Sequence, residues 1–335
     1  MNSVNTIFSK KMRTISFVSA LLVMFIHAYN IAVYDVQSEI IYWLEEVISQ
    51  CIARLAVPFF FMQSAFFLYR EKGKNVLEVY KTRVKSVLIP YLLWNIIYML
   101  MFTLLKHMSL SNFGMDKITV RNIIKGIFLY EYNYSYWFMY YLLIFIMLYP
   151  VIRYIIGRSK VIAIGIVGVL FLLYWNGYPF LESAIYYYIG ALLGYYFDEQ
   201  IQNTVFMTGK QRGILNSILG IAAISLFFVV NVLQFQEMSL IRNIVMVALF
   251  FGLINGDIGI KPIFLEMSFM LYSLHPLVLE AIEKLIYIFL PHNNVFAVVD
   301  YFIAPMITMG MVFGVAILMK KAAPWLYKCL NGQRR

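Results

Sequence analysis

Charge is scarce in this sequence. Only 13% of its 335 residues are Asp, Glu, Lys or Arg, while 62% are hydrophobic; soluble domains run nearer a quarter charged and half apolar. Too few charges remain to cover a globule in water, so a soluble domain is excluded. Cysteine is scarcer still. Cys51 and Cys329 stand far apart with no CxxC spacing, which excludes a disulfide framework and a Cys-based metal knuckle, and both read as small buried apolar residues. No metal is expected. There is no internal repeat, low-complexity segment or Pro/Gly-rich linker, so residues 1–335 read as one domain.

What is present is a succession of long apolar runs, and about 20 apolar residues suffice to cross a bilayer core as a helix. Polar breaks delimit ten candidate spans: 13–32, 47–69, 87–106, 136–155, 161–176, 183–197, 213–233, 240–255, 264–283 and 297–319. The expected fold is therefore all-α, a polytopic bundle of about ten transmembrane helices. Asn176-Gly177-Tyr178-Pro179 between the fifth and sixth reads either as a tight turn or as a re-entrant bend. The net charge of +10 does not point to nucleic acid, because Lys and Arg fall in short clusters in alternate connections, as positive-inside anchors do. Both termini are then expected in the cytoplasm, with the plasma membrane as the location. The first run follows Lys10, Lys11 and Arg13 without a small-x-small cleavage site and reads as a retained helix. Two further segments, Ile118–Leu129 and Glu280–Leu290, read as amphipathic pieces on the outer surface.

Polar side chains inside apolar runs are expensive in hydrocarbon, so each is a functional candidate. His27 lies fourteen residues beyond Arg13, roughly 21 Å along a helix at 1.5 Å per residue. Arg13, Ser16 and His27 share one face. Histidine there suits proton transfer or an interhelical hydrogen bond. Arg54, within the second span, calls for a partner: a carboxylate, a phosphate or backbone carbonyls. Gln63 and Ser64 follow as groups able to bridge helices. In the ninth span Ser268, Tyr272 and His275 share a face, and Pro276 frees a carbonyl one turn earlier that something must satisfy. Arg83 and Lys85, beside Lys81 at the mouth of the third span, could grip polyphosphate or simply anchor the helix. Trp137 sits in an aromatic cluster typical of a membrane interface.

Taken together these pieces resemble the acyltransferase-3 family of bacterial ten-helix membrane acyltransferases, which O-acylate sugars of cell-surface polysaccharides. The resemblance lies in Ala20-Leu-Leu-Val-Met-Phe-Ile-His27, in Arg54-Leu-Ala-Val-Pro-Phe-Phe-Phe-Met-Gln-Ser64, and in Arg83-Val-Lys85-Ser-Val-Leu-Ile-Pro90-Tyr-Leu-Leu-Trp94. It continues through Tyr136-Trp137-Phe138, Tyr188-Ile-Gly190-Ala-Leu-Leu-Gly194 and Ser268-Phe-Met-Leu-Tyr272-Ser-Leu-His275-Pro276. It implies that His27 is the catalytic histidine and that Arg83 and Lys85, with Arg13 and Ser16, bind an acyl-CoA, most simply acetyl-CoA, as co-substrate. Tyr272, Ser268 and Arg54 are then candidates to stabilise an oxyanion, with Ser64, Trp137 and His275 completing a polar seam. The family's arginine eleven residues before the histidine is replaced by Ser16, and the arginine ending its basic motif by Ser86. The glycine that often follows the serine at Ser64 is Ala65, and a histidine often found just before the tryptophan is absent.

The expected function is transfer of an acyl group, acetyl by resemblance, from cytoplasmic acyl-CoA to a hydroxyl of a surface sugar or polysaccharide. Membrane lipid and polysaccharide-synthesis proteins are the expected surroundings. The alternative is a transporter of glycan or acyl intermediates built on the same bundle without transferase chemistry. A purely structural role would leave Arg54, His27 and His275 without purpose.

Overall fold

The computed structural model describes residues 3–34, 36–109, 113–115, 117–254 and 259–333. Asp35, Arg334 and Arg335 lie outside them. No strand occurs among the described residues. The helices are α1 Ser3–His27, α2 Glu39–Tyr69, α3 Val76–His107, α4 Val120–Phe128 and α5 Tyr134–Met147. There follow α6 Tyr149–Arg158, α7 Lys160–Trp175, α8 Glu182–Tyr196, α9 Asp198–Asn203 and α10 Gly209–Asn231. Last come α11 Gln236–Leu253, α12 Pro262–Glu266, α13 Ser268–Phe289, α14 Asn294–Ala322 and α15 Pro324–Leu330.

Five of these, α2, α3, α10, α11 and α14, are long and apolar enough to cross a membrane, and α5 with α6, bent by 60°, would make a sixth. The chain is a membrane protein. The other apolar runs fall on helices as well, but on short ones such as the 15-residue α8, or on charge-bearing ones such as α1 and α13. On α10, Ile218, Ile221 and Ile224 are 60%, 67% and 72% exposed, a surface that only hydrocarbon would leave undisturbed. The stretch 176–179 is a tight turn: Gly177 has φ +94° and Asn176 N–H returns to the Leu172 carbonyl. The amphipathic Val120–Phe128 forms as α4 where expected. Glu280–Leu290 is not a separate surface helix, because α13 runs unbroken to Phe289.

Local chemistry starts several helices. Thr208 and Gln211 make a reciprocal capping box on α10, and the Asn75 and Thr119 side chains accept backbone N–H groups at the starts of α3 and α4. Each satisfies donors that the first turn leaves open.

By contacts the chain divides into two units, Met1–Lys72 with Ile152–Phe313, and Gly73–Val151 with Gly314–Arg335. In the first, α8 lies tightly on α2. A Cβ on Gly190 would collide with the Met62 carbonyl and one on Gly194 with the Phe66 carbonyl. Two glycines four residues apart thus let the backbones approach, the small-xxx-small device of membrane helices. α1 also packs on α2, setting Phe8, Met12 and Ile15 against Leu55, Phe59 and Phe66. In the second unit α3 closes the end of α4: the Tyr91 hydroxyl donates to the Phe128 carbonyl at 2.8 Å and Asn95 Nδ2 to the Ile127 carbonyl at 3.0 Å. These are the carbonyls a helix end leaves open. The Trp94 indole N–H donates to the Leu330 carbonyl at 3.1 Å and fastens α15 to α3.

Candidate functional site

His27 is the last residue of α1. Its ring centroid lies 5.2 Å from that of His275 on α13, with the planes at 40°. Sequence reading had put both residues at depth without pairing them. His275 is fully buried, and its Nδ1 is 2.7 Å from the Tyr272 carbonyl and 3.2 Å from that of Leu271. Carbonyls only accept, so Nδ1 carries the proton and donates.

The reason lies one residue along. Pro276 has no N–H, so the Tyr272 carbonyl, four residues back, loses its helical donor; the His275 side chain supplies the missing proton. The imidazole is thereby fixed as the Nδ1–H tautomer. Its Nε2 has no hydrogen-bond partner among the described residues and stands as a buried acceptor beside His27. The Tyr272 ring packs 6.2 Å from the His275 ring. Ser268 sits two turns away, its hydroxyl donating to the Leu265 carbonyl at 2.7 Å.

The position where the family resemblance expects arginine is filled by a neutral pair. Ser16 donates to the Met12 carbonyl at 2.8 Å, and Gln63 Nε2 donates to Ser16 Oγ at 2.8 Å, which ties α1 to α2. Arg13 is exposed, Ser64 is half-buried, and Lys11 is buried with its ammonium 3.7 Å from the Phe251 ring centroid. Arg54 is exposed, contrary to the expectation of an enclosed guanidinium.

The enclosed arginine is Arg242, 3% exposed, on α11. Its guanidinium donates to Asn243 Oδ1 at 3.3 Å and to the Gln50 carbonyl at 3.4 Å. Asn243 Nδ2 donates to the Tyr186 hydroxyl at 3.0 Å, and that hydroxyl donates to Glu182 at 2.6 Å. Sequence reading passed over Arg242 because it stands near the start of an apolar run, where an arginine resembles an interfacial anchor.

A second polar group was also missed. Glu45, Asp300, Asn30 and Tyr34 are all buried. The Asn30 N–H donates to Glu45 at 3.2 Å, Asn30 Nδ2 to Asp300 at 3.5 Å and the Tyr34 hydroxyl to Asp300 at 3.1 Å. Burial, and next the Asp300 carboxylate, hold the Tyr34 hydroxyl above its ordinary range, so it remains a donor. Asn30 lies three residues beyond His27, so this network anchors the segment that leaves the catalytic candidate.

In the second unit, Arg83 lines a cavity of about 470 Å³ between α3 and α5, walled by Tyr80, Leu88, Tyr91, Tyr140 and Ile144. A π-helical turn over Val84–Leu88 follows Arg83. Lys85 is exposed on that turn. The combination of a cationic rim and an apolar wall suits a ligand with a charged head and a greasy arm. Trp137 opens the helical part of α5, its ring 6.2 Å from Tyr141, while Tyr136 is buried and stacks on Tyr91 at 5.8 Å. Among the described residues no group of three His, Cys, Asp or Glu could hold a metal ion.

A family model described as an acyltransferase domain, Acyl_transf_3, matches residues 15–327. No curated protein matches the chain, and no solved structure does.

Proposed function

Because the chain belongs to the acyltransferase-3 family, we propose that it moves an acetyl group from cytoplasmic acetyl-CoA to a hydroxyl of a cell-surface sugar, alongside polysaccharide-synthesis proteins. In this reading all ten apolar runs cross the plasma membrane and both termini face the cytoplasm. The observation that carries it is the imidazole pair at 5.2 Å, one ring locked in a single tautomer by Pro276.

The chemistry follows from that lock. His275, held as the Nδ1–H tautomer, lies beside His27, and a His27 ring nitrogen serves as the base. An acceptor hydroxyl gives its proton to that nitrogen as its oxygen attacks the thioester carbonyl. The tetrahedral oxyanion collapses by breaking the C–S bond, and the departing thiolate takes the proton back from His27. Tyr272, beside the pair, is the donor best placed to stabilise the oxyanion. Arg83 and Lys85 are the residues of the second unit that hold the donor's phosphates.

The deciding experiment is acetyl-CoA binding and turnover by purified protein. Wild type binds and hydrolyses or transfers, His27→Ala binds without turnover, and Arg83→Ala binds weakly. A wild-type protein that binds no thioester ends the proposal.

A further inference from the structure

Two arginines meet in the first unit at a break in α2. From Glu46 to Ile52 the helix is π-wound, with the Ala53 N–H reaching back to the Ile48 carbonyl, and Ala53–Leu55 is a 3₁₀ turn carrying Arg54. Irregular turns inside helices recur at functional sites. Arg242 donates to the carbonyl of Gln50, one turn before Arg54, and the 3₁₀ turn that carries Arg54 packs against α11.

Neither charge is neutralised locally. Among the described residues neither arginine makes an ion pair. Glu182 is reached from Arg242 only through Asn243 and Tyr186, its carboxylate already accepting the Tyr186 proton. Glu46, two turns back, accepts the Tyr29 hydroxyl at 2.9 Å. One carboxylate at second remove therefore faces two guanidinium groups. Arg54 is also exposed although it lies midway along a helix able to cross the membrane, where charge is tolerated only against a partner or a watered cavity. Arg242 is rigid and enclosed, Arg54 open; that is the build of a receptor with one fixed and one reachable fork.

We propose that Arg54 and Arg242 bind an oxyanion, a phosphate or carboxylate carried by the acceptor or by the lipid that delivers it. This rests on the transferase reading and narrows its acceptor to an acidic or phosphate-bearing one.

The test is thermal unfolding of the full chain in phosphatidylcholine nanodiscs, titrated with inorganic phosphate at ionic strength held constant with chloride. Wild type should show saturable stabilisation, and Arg54→Gln and Arg242→Gln should need roughly tenfold more phosphate or beyond, as expected for a lost charged hydrogen bond. Arg54→Lys and Arg242→Lys should fall between. Discs containing phosphatidylglycerol separate the sources: if they abolish the phosphate response the ligand is a lipid headgroup, and if they leave it the ligand is not a bulk lipid. Arg242→Gln disturbs a buried network, but Arg54→Gln alters an exposed side chain and decides the matter alone. No saturable response in wild type, or an equal one in Arg54→Gln, overturns the proposal. Acetyl-CoA binding by the same preparations is the separate readout. Thioester binding without phosphate binding sinks this inference and spares the transferase, and the reverse sinks the transferase reading.

Discussion

Replacing Pro276 should rescue the damage done by removing His275. In the native helix the Tyr272 carbonyl has no amide donor because residue 276 is proline, and His275 Nδ1 covers it at 2.7 Å. His275→Ala then costs two things: the packing of a side chain that is fully buried, and an orphaned buried carbonyl, about 1–3 kcal/mol. With alanine at 276 the backbone N–H returns to that carbonyl, and only the packing loss remains. The double-mutant cycle should therefore show His275→Ala milder on the Pro276→Ala background by about 1 kcal/mol or more. Denaturant unfolding in mixed micelles, followed by tryptophan fluorescence, measures all four proteins. Additivity within about 0.5 kcal/mol would refute the reasoning, since uncoupled sites add to that precision. The same cycle has an activity arm. Pro276→Ala alone frees the His275 tautomer, so turnover should fall by roughly a hundredfold, the lower end of what positioned acid–base groups contribute, although the protein is no less stable.

Other outcomes follow from particular contacts. Gly190→Ala and Gly194→Ala force a methyl into the carbonyls of Met62 and Phe66 and should each destabilise by roughly 1–3 kcal/mol. Gly165→Ala and Gly168→Ala meet nothing within 4 Å, so their unfolding midpoints should hold or rise. Gln63→Ala removes the tie to Ser16 and should cost only about 0.6 kcal/mol, typical of polar contacts between membrane helices, as read by the same unfolding assay. Glu45→Gln keeps an oxygen for the Asn30 N–H while removing a buried charge near Asp300, so its midpoint should not fall below wild type; a clear drop would mean that the charge itself is required.

The sequence announced what depends on local covalent structure. Pro276 requires a substitute donor wherever it sits in a helix, and the nearest candidate was the residue before it. The GxxxG spacing of Gly190 and Gly194, part of the motif quoted for the family, is likewise local. The Gln63 bridge was legible as a polar pair in an apolar run, but its partner Ser16 was not, because residue pairing across helices has no sequence signal in a single chain. The same limit hid the Asn30–Asp300 contact, 270 residues apart. Arg54 and Arg242 were misjudged in opposite directions. Depth along a run says how far a residue lies from the ends of its helix, whereas exposure depends on which way its face turns, and the π turn in α2 shifts that face away from regular α-helical phase. Helix length also blurred the count of spans, since α8 crosses few turns and α13 carries charge.

That π turn makes α2 tolerant of a change no substitution imitates. A π turn holds one residue more than an α turn, so deleting a single residue between 46 and 52 would let the helix relax to regular winding. The flanks would keep nearly their present phase, whereas the same deletion in a regular α-helix swings one side by roughly 100° against the other. Glu45, on Asn30, and Arg54, by Arg242, would hold their stations. Length, which a regular helix cannot give up, is what this stretch can spare.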